Sequence, residues 1–450
     1  MRVEKFFFRF RLWRERPETA LISSFALVII GGALLLMLPL SNAVGRTTGF
    51  LTALFTSTSA VCVTGLIVVD TGTHFSRFGQ VIIMLLIQAG GLGIMTFTAL
   101  FAWISRRRVS IQSQLTLRDT FLAKTEAVSL RRLLLFILST TAVIEGAGAT
   151  MLYFSMKDPA PGGRLFNAIF HSISAFCNAG FSLNSNSVVP FHTSIPVMGT
   201  IMLLIIAGGI GYPVMLEVRS HLKAPGHAGH WSLHTKTVLL STAVLIFGGA
   251  FFIKLGAPQF SIMDALFQSV STRTAGFNSV SFGHLPHAIM LVMILLMFIG
   301  GSPGSCAGGI KTTTFSGMIV VWKDWLFGGS RKRFFKRRLS SDTIRKIKAV
   351  IGLASIWILL SFTALLYTES LIFATDPAAF QDLLFEVVSA MGTVGLSTGV
   401  TPHLSGIGRV IIILDMFIGR VGPLAVVTAL LNAGTSRVKI GYPEEKIMIG

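Results

Sequence analysis

Four times along this chain, a long apolar stretch is followed by a shorter apolar segment, a brief glycine phrase and a second long apolar stretch. The first stretches lie near 19–41, 132–155, 235–256 and 346–373, the second near 78–104, 194–218, 286–322 and 407–431. Apolar runs of about 18 residues or more can cross a bilayer as helices. The shorter segments, near 50–61, 164–175, 262–272 and 379–390, cannot. Backbone that enters hydrocarbon without crossing it survives only when it is buried in protein or lines a watery cavity. The pattern therefore predicts eight transmembrane helices carrying four re-entrant loops, gathered around something wet.

The glycine phrases are variants of one another: Val63-Thr64-Gly65-Leu66, Asn178-Ala179-Gly180-Phe181, Thr274-Ala275-Gly276-Phe277 and Thr393-Val394-Gly395-Leu396. The segments before them also correspond. Leu54-Phe55-Thr56-Ser57 matches Ile169-Phe170-His171-Ser172, Leu266-Phe267-Gln268-Ser269 and Leu384-Phe385-Glu386-Val387. From the last serine of each segment to its glycine there are six residues in the first, second and fourth copies and five in the third, so the third loop is slightly shorter. A second set of glycines follows in the long stretches, at Gly90-Gly91, Gly208-Gly209, Gly300-Gly301 and Gly419, 25, 28, 24 and 24 residues beyond the first set. Recurrence in fixed order is the mark of an internal repeat. The boundaries divide into a tail at 1–18, repeats at 19–104, 105–218, 219–328 and 329–431, and a second tail at 432–450.

Charge sets the orientation. Only 13% of the 450 residues are charged and 52% are hydrophobic, yet the net charge is +19. Most of the Lys and Arg fall in 1–18, 105–132, 217–236, 323–348 and 437–446, at the chain ends and in every second loop. This is the positive-inside pattern, and it predicts that both tails are cytoplasmic. It also argues against nucleic acid as a partner, since no single basic face results; the run from Arg331 to Arg338 is expected to meet anionic lipid headgroups or a partner protein. The stretch from Thr19 to Leu40 is too long for the apolar part of a signal peptide and reads as the first span. Cys62, Cys177 and Cys306 are odd in number and far apart, which suits neither a disulfide framework nor a metal site.

The phrases contain Thr, Asn, Ala and Val but no acid. That suits ion selection by backbone carbonyls rather than by a ring of carboxylates. Glycine permits positive φ, which lets carbonyls turn toward an axis. The residues expected to hold a hard monovalent cation are Val63, Thr64, Gly65, Asn178, Ala179, Gly180, Thr274, Ala275, Gly276, Thr393, Val394 and Gly395, and no organic cofactor is expected.

The stretch 286–322 is interrupted by five glycines and a proline between Gly300 and Ile310, which no helix tolerates. This loop must also line the cavity. Its order near Lys311 misses a phosphate-binding P-loop by one residue, and no strand precedes it. Arg420 lies inside an apolar helix, where an arginine is costly and is expected to have a partner: Asp415 or a loop carbonyl. It can also act as a positive barrier to cations. Lys311 either adds to that barrier or snorkels to the cytosolic interface. Arg273 is expected to point away from the pore and pair with Glu386 or Asp264. Asp70 reads either as a cation-concentrating group at the outer mouth or as a solvated loop acid. Glu145 invites either interhelical hydrogen bonding or proton relay. His221, His227, His230 and His234 are spaced for a metal but lack Cys or acidic companions. The apolar end Ile447-Met448-Ile449-Gly450 is expected to pack back on the cytoplasmic face, at a subunit interface or on its own protomer.

On these residues the chain resembles the Trk/Ktr/HKT superfamily of K⁺ transport proteins, and within it the Ktr-type membrane subunit, since its first span starts near residue 19 with no extra helix pair before it. The resemblance implies an all-α membrane protein in which four parallel repeats, each helix–pore loop–helix, surround one pore. It implies K⁺ uptake through a filter with Gly65, Gly180, Gly276 and Gly395 at the selective level, and a gate at 300–311 with Gly300, Gly301, Ser302, Gly304, Gly308, Gly309 and Lys311, held against Arg420. It further implies a homodimer in a bacterial inner membrane, a cytosolic nucleotide-binding ring subunit, and a possible activating role for Na⁺. A secondary transporter coupling K⁺ to Na⁺ or H⁺ is the competing expectation. Many such transporters use inverted repeats, whereas each repeat here begins after a basic loop.

Overall fold

Apolar length decides which segments become long helices, and serine decides where several of them start. The structure is a computed structural model and describes residues 17–106, 130–156, 163–223, 231–282, 285–327, 333–334, 337–370, 379–423 and 425–426. In chain order the main helices are α1 (Pro17–Met37), α2 (Phe50–Val61), α3 (Arg77–Arg106), α4 (Leu130–Ser155), α5 (Arg164–Phe176), α6 (Ile195–Ile210), α7 (Tyr212–Lys223), α8 (Leu233–Gly256), α9 (Ile262–Ser271), α10 (His287–Phe298), α11 (Thr312–Leu326), α12 (Ser341–Thr368), α13 (Ala379–Gly392) and α14 (Gly406–Val421). Ser232, Ser261, Ser340 and Ser405 cap α8, α9, α12 and α14, each accepting from a backbone N–H three residues on. Apart from a two-residue antiparallel pairing of Arg333–Phe334 with Arg337–Arg338, the described residues form no sheet.

Among the described residues, five helices are long and apolar enough to cross a membrane: 19–37, 77–96, 131–155, 233–256 and 341–368. Helices α6 and α7 make a sixth if their pair, bent by 100° at Gly211, is counted as one span. The chain is thus an all-helical, multi-pass membrane protein. The expected long stretches 19–41, 78–104, 132–155, 235–256 and 346–373 match observed helices to within about five residues, whereas 194–218 is two helices and the helix expected at 407–431 ends at Val421.

The short helices α2, α5, α9 and α13 form the core. Phe55, Phe170, Phe267 and Phe385, at the same place in each, are buried completely or nearly so. Three of the four also carry a serine that reaches a neighbouring long helix. Ser57 Oγ donates to the Ile29 carbonyl at 2.7 Å, Ser172 Oγ to Glu145 at 2.6 Å and Ser269 Oγ to Ile246 at 2.7 Å. These contacts need bare backbone opposite: a β-carbon on Gly32, Gly148 or Gly249 would collide with the serine hydroxyl. Val387 stands at the fourth position, fully buried, and makes the contact with apolar surface instead.

The second glycine set packs against the ends of the same short helices. A β-carbon on Gly90 would strike the Val61 carbonyl, one on Gly208 the Phe176 carbonyl, and one on Gly419 the Met391 carbonyl. Replacing Gly208 with Ala should therefore cost about 1–3 kcal/mol, the usual range for overpacking a filled core. Gly199 in the same helix has open space around it, so Gly199→Ala should leave stability unchanged. Thermal midpoints of the two variants in detergent check this, and equal midpoints would refute the close packing.

Candidate ion site and its loop

Each of the four phrases alternates in backbone handedness. Val63, Asn178, Thr274 and Thr393 have φ of 56°, 59°, 70° and 48°, and Gly65, Gly180, Gly276 and Gly395 have φ of 96°, 70°, 77° and 90°. The residue between them in every phrase is not among those with positive φ. Alternation of this kind turns successive carbonyls to one side of the strand instead of opposite sides. Positive φ is a rare outlier for β-branched residues such as Val63, Thr274 and Thr393, and each costs on the order of 1–3 kcal/mol. Sequence reasoning named these residues but foresaw left-handed backbone only at the glycines.

The four glycines close a ring. A β-carbon on Gly65 would meet the Ala179 carbonyl, on Gly180 the Ala275 carbonyl oxygen at 2.8 Å, on Gly276 the Val394 carbonyl, and on Gly395 the Thr64 carbonyl. The order is thus 65, 180, 276, 395 and back to 65. Among the described residues, no N–H or hydroxyl donates to the carbonyls of 63–65, 178–180, 274–276 or 393–395. Buried carbonyls are nearly always satisfied; twelve that are not, gathered in one ring, leave a place for a cation. The negative ends of α2, α5, α9 and α13 adjoin the four phrases, which favours positive charge there.

Residues 300–311 form the expected break between α10 and α11. The neck of the loop is pinned by Gly300 N–H to the Ile310 carbonyl at 2.8 Å and Thr312 N–H to the Gly301 carbonyl at 3.0 Å. Its tip is pinned to the α6–α7 bend: Ser302 N–H donates to the Gly209 carbonyl, Cys306 N–H to Gly208 and Tyr212 N–H to Gly304, at 3.0–3.1 Å. Gly211 takes φ of 91° at that bend, and a β-carbon there would meet the Pro303 carbonyl. Gly308 abuts Thr393, and Gly309 faces the Gly392 carbonyl, so the loop touches the fourth phrase directly.

Three cations bind the loop through its carbonyls. Arg420 donates through Nη1 to Cys306 and through Nη2 to Gly90 at 2.7 Å. It thereby ties α14 to the loop and to α3. Lys311 Nζ donates to Ala307 at 2.6 Å, so its ammonium turns back on the loop rather than snorkelling. Arg273 donates through Nη2 to Gly300 at 3.4 Å and through Nη1 to Thr242 at 3.3 Å. The expected pairing of Arg273 with Glu386 or Asp264 is therefore corrected. Glu386 accepts from Ser397 and Thr401, and Asp264 from Ser261. The broken helix supplies carbonyls that take the guanidinium instead. Of the two partners expected for Arg420, the loop carbonyl is the one observed; Asp415 accepts from Trp357 Nε1 and Ser361 Oγ.

The remaining candidates fall in place around this centre. Glu145 accepts from Gln88 Nε2 at 3.1 Å, an interhelical bond. Asp70 caps the short turn Thr71–His74 by accepting from Thr73 N–H at 2.8 Å. His221 stacks on Trp231, and its Nδ1 donates to the Glu217 carbonyl. His227 and His230 lie outside the described residues, as do Arg331, Lys332, Lys336 and the tail from 427 onward. Among the described residues no group of His, Cys, Asp or Glu is arranged to hold a metal. All three cysteines are free and buried.

A family model described as TrkH, cation transport protein, matches residues 15–255 and 240–433. The chain is 38% identical to the Ktr system potassium uptake protein B of Bacillus subtilis (strain 168), over 97% of each chain. It is 37% identical to the protein of the same description from Vibrio alginolyticus, over 96% of this chain and 94% of that one. To the potassium/sodium uptake protein NtpJ of Enterococcus hirae it is 35% identical, over 97% and 98%. The crystal structure of the potassium transporter TrkH from Vibrio parahaemolyticus superposes with a TM-score of 0.68 at 17% identity, covering 91% of this chain and 85% of that one. A membrane-embedded cation transporter, and not an enzyme, is the class that fold and family define. The chain belongs to the TrkH family of cation transport proteins and is similar along its length to Ktr-type uptake proteins.

The docked loop makes a prediction about thiol chemistry. In a variant whose only cysteine is Cys306, a maleimide should fail to react in the folded protein. Adding Arg420→Ala, which removes the bond to the Cys306 carbonyl, should raise the labelling rate at least about tenfold, as expected for loss of a charge-assisted hydrogen bond. Equal rates, followed by mass spectrometry, would show that Arg420 does not hold the loop.

Proposed function

We propose that the chain carries K⁺ across the membrane through one central pore, with the ring of Gly65, Gly180, Gly276 and Gly395 as selectivity filter and loop 300–311 as gate. The observation that carries this reading is the ring itself: twelve buried carbonyls that accept no hydrogen bond, in four strands of alternating handedness. Carbonyls so placed can replace the water shell of a cation. The relatives named potassium uptake proteins supply the choice of K⁺.

In this reading the architecture is four helix–pore loop–helix repeats in pseudo-fourfold array. Eight spans result when α6 with α7, α10 with α11, and α14 with the residues that follow it are each counted as one. The loop closes the path below the filter, and Arg420 and Lys311 place positive charge beside it, which raises the barrier for a cation. Opening requires those two side chains to release the Cys306 and Ala307 carbonyls. The chain serves as the translocating subunit of a Ktr-type system: a homodimer in the bacterial inner membrane, tails in the cytoplasm, working with a nucleotide-binding ring subunit. Coupled uptake of K⁺ with Na⁺ is the second reading; the description of the Enterococcus relative as a potassium/sodium uptake protein favours it.

Two sets of variants test the proposal in proteoliposomes. Replacing any filter glycine by Ser puts a side chain against the next strand's carbonyl, and K⁺/Na⁺ selectivity should fall about tenfold or more, given the steric and positive-φ penalties. Unchanged selectivity in all four would remove the filter. Arg420→Ala, or a shortened 300–309 loop, should raise K⁺ flux severalfold and reduce dependence on a ring subunit; a fall in flux in both well-folded variants would remove the gate. Reversal potentials that follow K⁺ alone support a pore, and potentials that shift with a Na⁺ gradient support coupling.

A further inference from the structure

The residue before this serine, or before Val387 in the fourth short helix, differs in kind: Thr56, His171, Gln268 and Glu386. All four are buried. Three of them reach past their own helix to the chain that leaves the filter. His171 Nδ1–H donates to the Asn167 carbonyl at 2.8 Å, which leaves Nε2 to accept from Ser182 Oγ at 3.0 Å. Gln268 Nε2 donates to Ser279 Oγ at 3.3 Å. Glu386 accepts from Ser397 Oγ and, through its other oxygen, from Thr401 Oγ1 at 2.9 Å. Ser182 and Ser397 stand two residues after their filter glycines, and Ser279 stands three after.

The first strand departs from this. Thr56 Oγ1 donates to the Thr52 carbonyl of its own helix at 3.0 Å. Ile67 and Val68, two and three residues beyond Gly65, offer no hydroxyl. We propose that His171, Gln268 and Glu386 are positioning residues for ion selection, bracing three of the four filter strands beyond their glycines, and that the first strand, where Ser59 Oγ accepts from Gly65 N–H at 3.0 Å but no side chain among the described residues bonds 66–68, is the most compliant. This inference rests on the filter reading above.

The physical argument is one of stiffness. The alternating backbone is strained at Asn178, Thr274 and Thr393 and persists only where its surroundings hold it. On the inner side each strand continues from the end of a short helix. On the outer side the chain turns away at Phe181, Phe277 and Leu396; Ser174 Oγ and Ser271 Oγ donate to the Phe181 and Phe277 carbonyls, and the brace holds the chain one or two residues further on. The Gly180, Gly276 and Gly395 carbonyls lie between those two anchors. Glu386 makes the strongest of the three braces, because its two oxygens take two hydroxyls where His171 and Gln268 each reach one. Selection between ions of different radius requires the carbonyls to resist collapse around the smaller one, and the braces supply that resistance at three of four positions.

The test uses the full-length protein in proteoliposomes, with uptake of K⁺, Rb⁺ and Na⁺ measured for Glu386→Ala, Ser397→Ala, His171→Ala, Glu386→Gln, Thr56→Val and Gly395→Ser. Glu386→Ala and His171→Ala should lower the K⁺/Na⁺ ratio about tenfold, as loss of a buried bond to a strained strand implies. Ser397→Ala removes the same bond with one atom and serves if Glu386→Ala does not fold. Glu386→Gln keeps one acceptor and gains a donor, so it should restore most of the ratio. Thr56→Val should leave it unchanged. If Gly395→Ser alters the ratio while Glu386→Ala, Ser397→Ala and His171→Ala keep that of the parent, the braces are overturned and the filter stands. A ratio unmoved in every variant, Gly395→Ser included, overturns the filter and the braces together.

Discussion

Everything at the centre of this protein depends on backbone carbonyls that have no donor. In a membrane such groups are costly, and irregular backbone is tolerated there only under cover of protein. The four short helices provide the cover. Their phenylalanines fill the core, three of their serines bind the surrounding helices, and their last turns deliver the chain to left-handed residues that no β-branched side chain would choose. The strain at Val63, Asn178, Thr274 and Thr393 falls among the same twelve residues as the missing hydrogen bonds. A bound cation relieves the second of these costs, which is why the site and the fold are one problem.

A second theme is that the buried cations here meet carbonyls, not carboxylates. Arg420, Lys311 and Arg273 bind the Cys306, Ala307 and Gly300 carbonyls. The nearby acids are engaged by neutral donors: Glu145 by Gln88, Asp415 by Trp357 and Ser361, Glu386 by Ser397 and Thr401. An ion pair would lock its members together, and breaking one by removing a partner in the interior is expensive. A carbonyl dipole holds a guanidinium less tightly. Under the proposed gate role, carbonyl tethers suit a loop that has to let go, and the carbonyls are free because the glycines at 300–309 keep this segment from forming a helix.

Much of this was legible in the sequence, for a simple reason: membrane spans and re-entrant helices are set by apolar length, which a single chain displays. Most helix limits, the break after Phe298 and the positive φ at Gly65, Gly180, Gly276 and Gly395 follow from length, spacing and composition. What was not legible depended on partners distant in the chain. The bend at Gly211 reads as an ordinary helical glycine until Pro303 and Gly304 arrive against it. Arg273 was matched to acids because charge suggests charge, while the acceptors were carbonyls freed by a broken helix. The side chains proposed as braces were visible as one variable column before a serine in three copies and before Val387 in the fourth. Their meaning required knowing that Ser182, Ser279 and Ser397 return to that face.

The central claim is that a desolvated K⁺ ion sits among the carbonyls of 63–65, 178–180, 274–276 and 393–395. Anomalous scattering from crystals grown in Rb⁺ tests it most directly. The account predicts a peak on the axis of the ring, in line with Gly65, Gly180, Gly276 and Gly395, that weakens when K⁺ is added in excess. Rb⁺ bound instead at a buried carboxylate such as Glu145 or Asp415, with the ring empty, would contradict it.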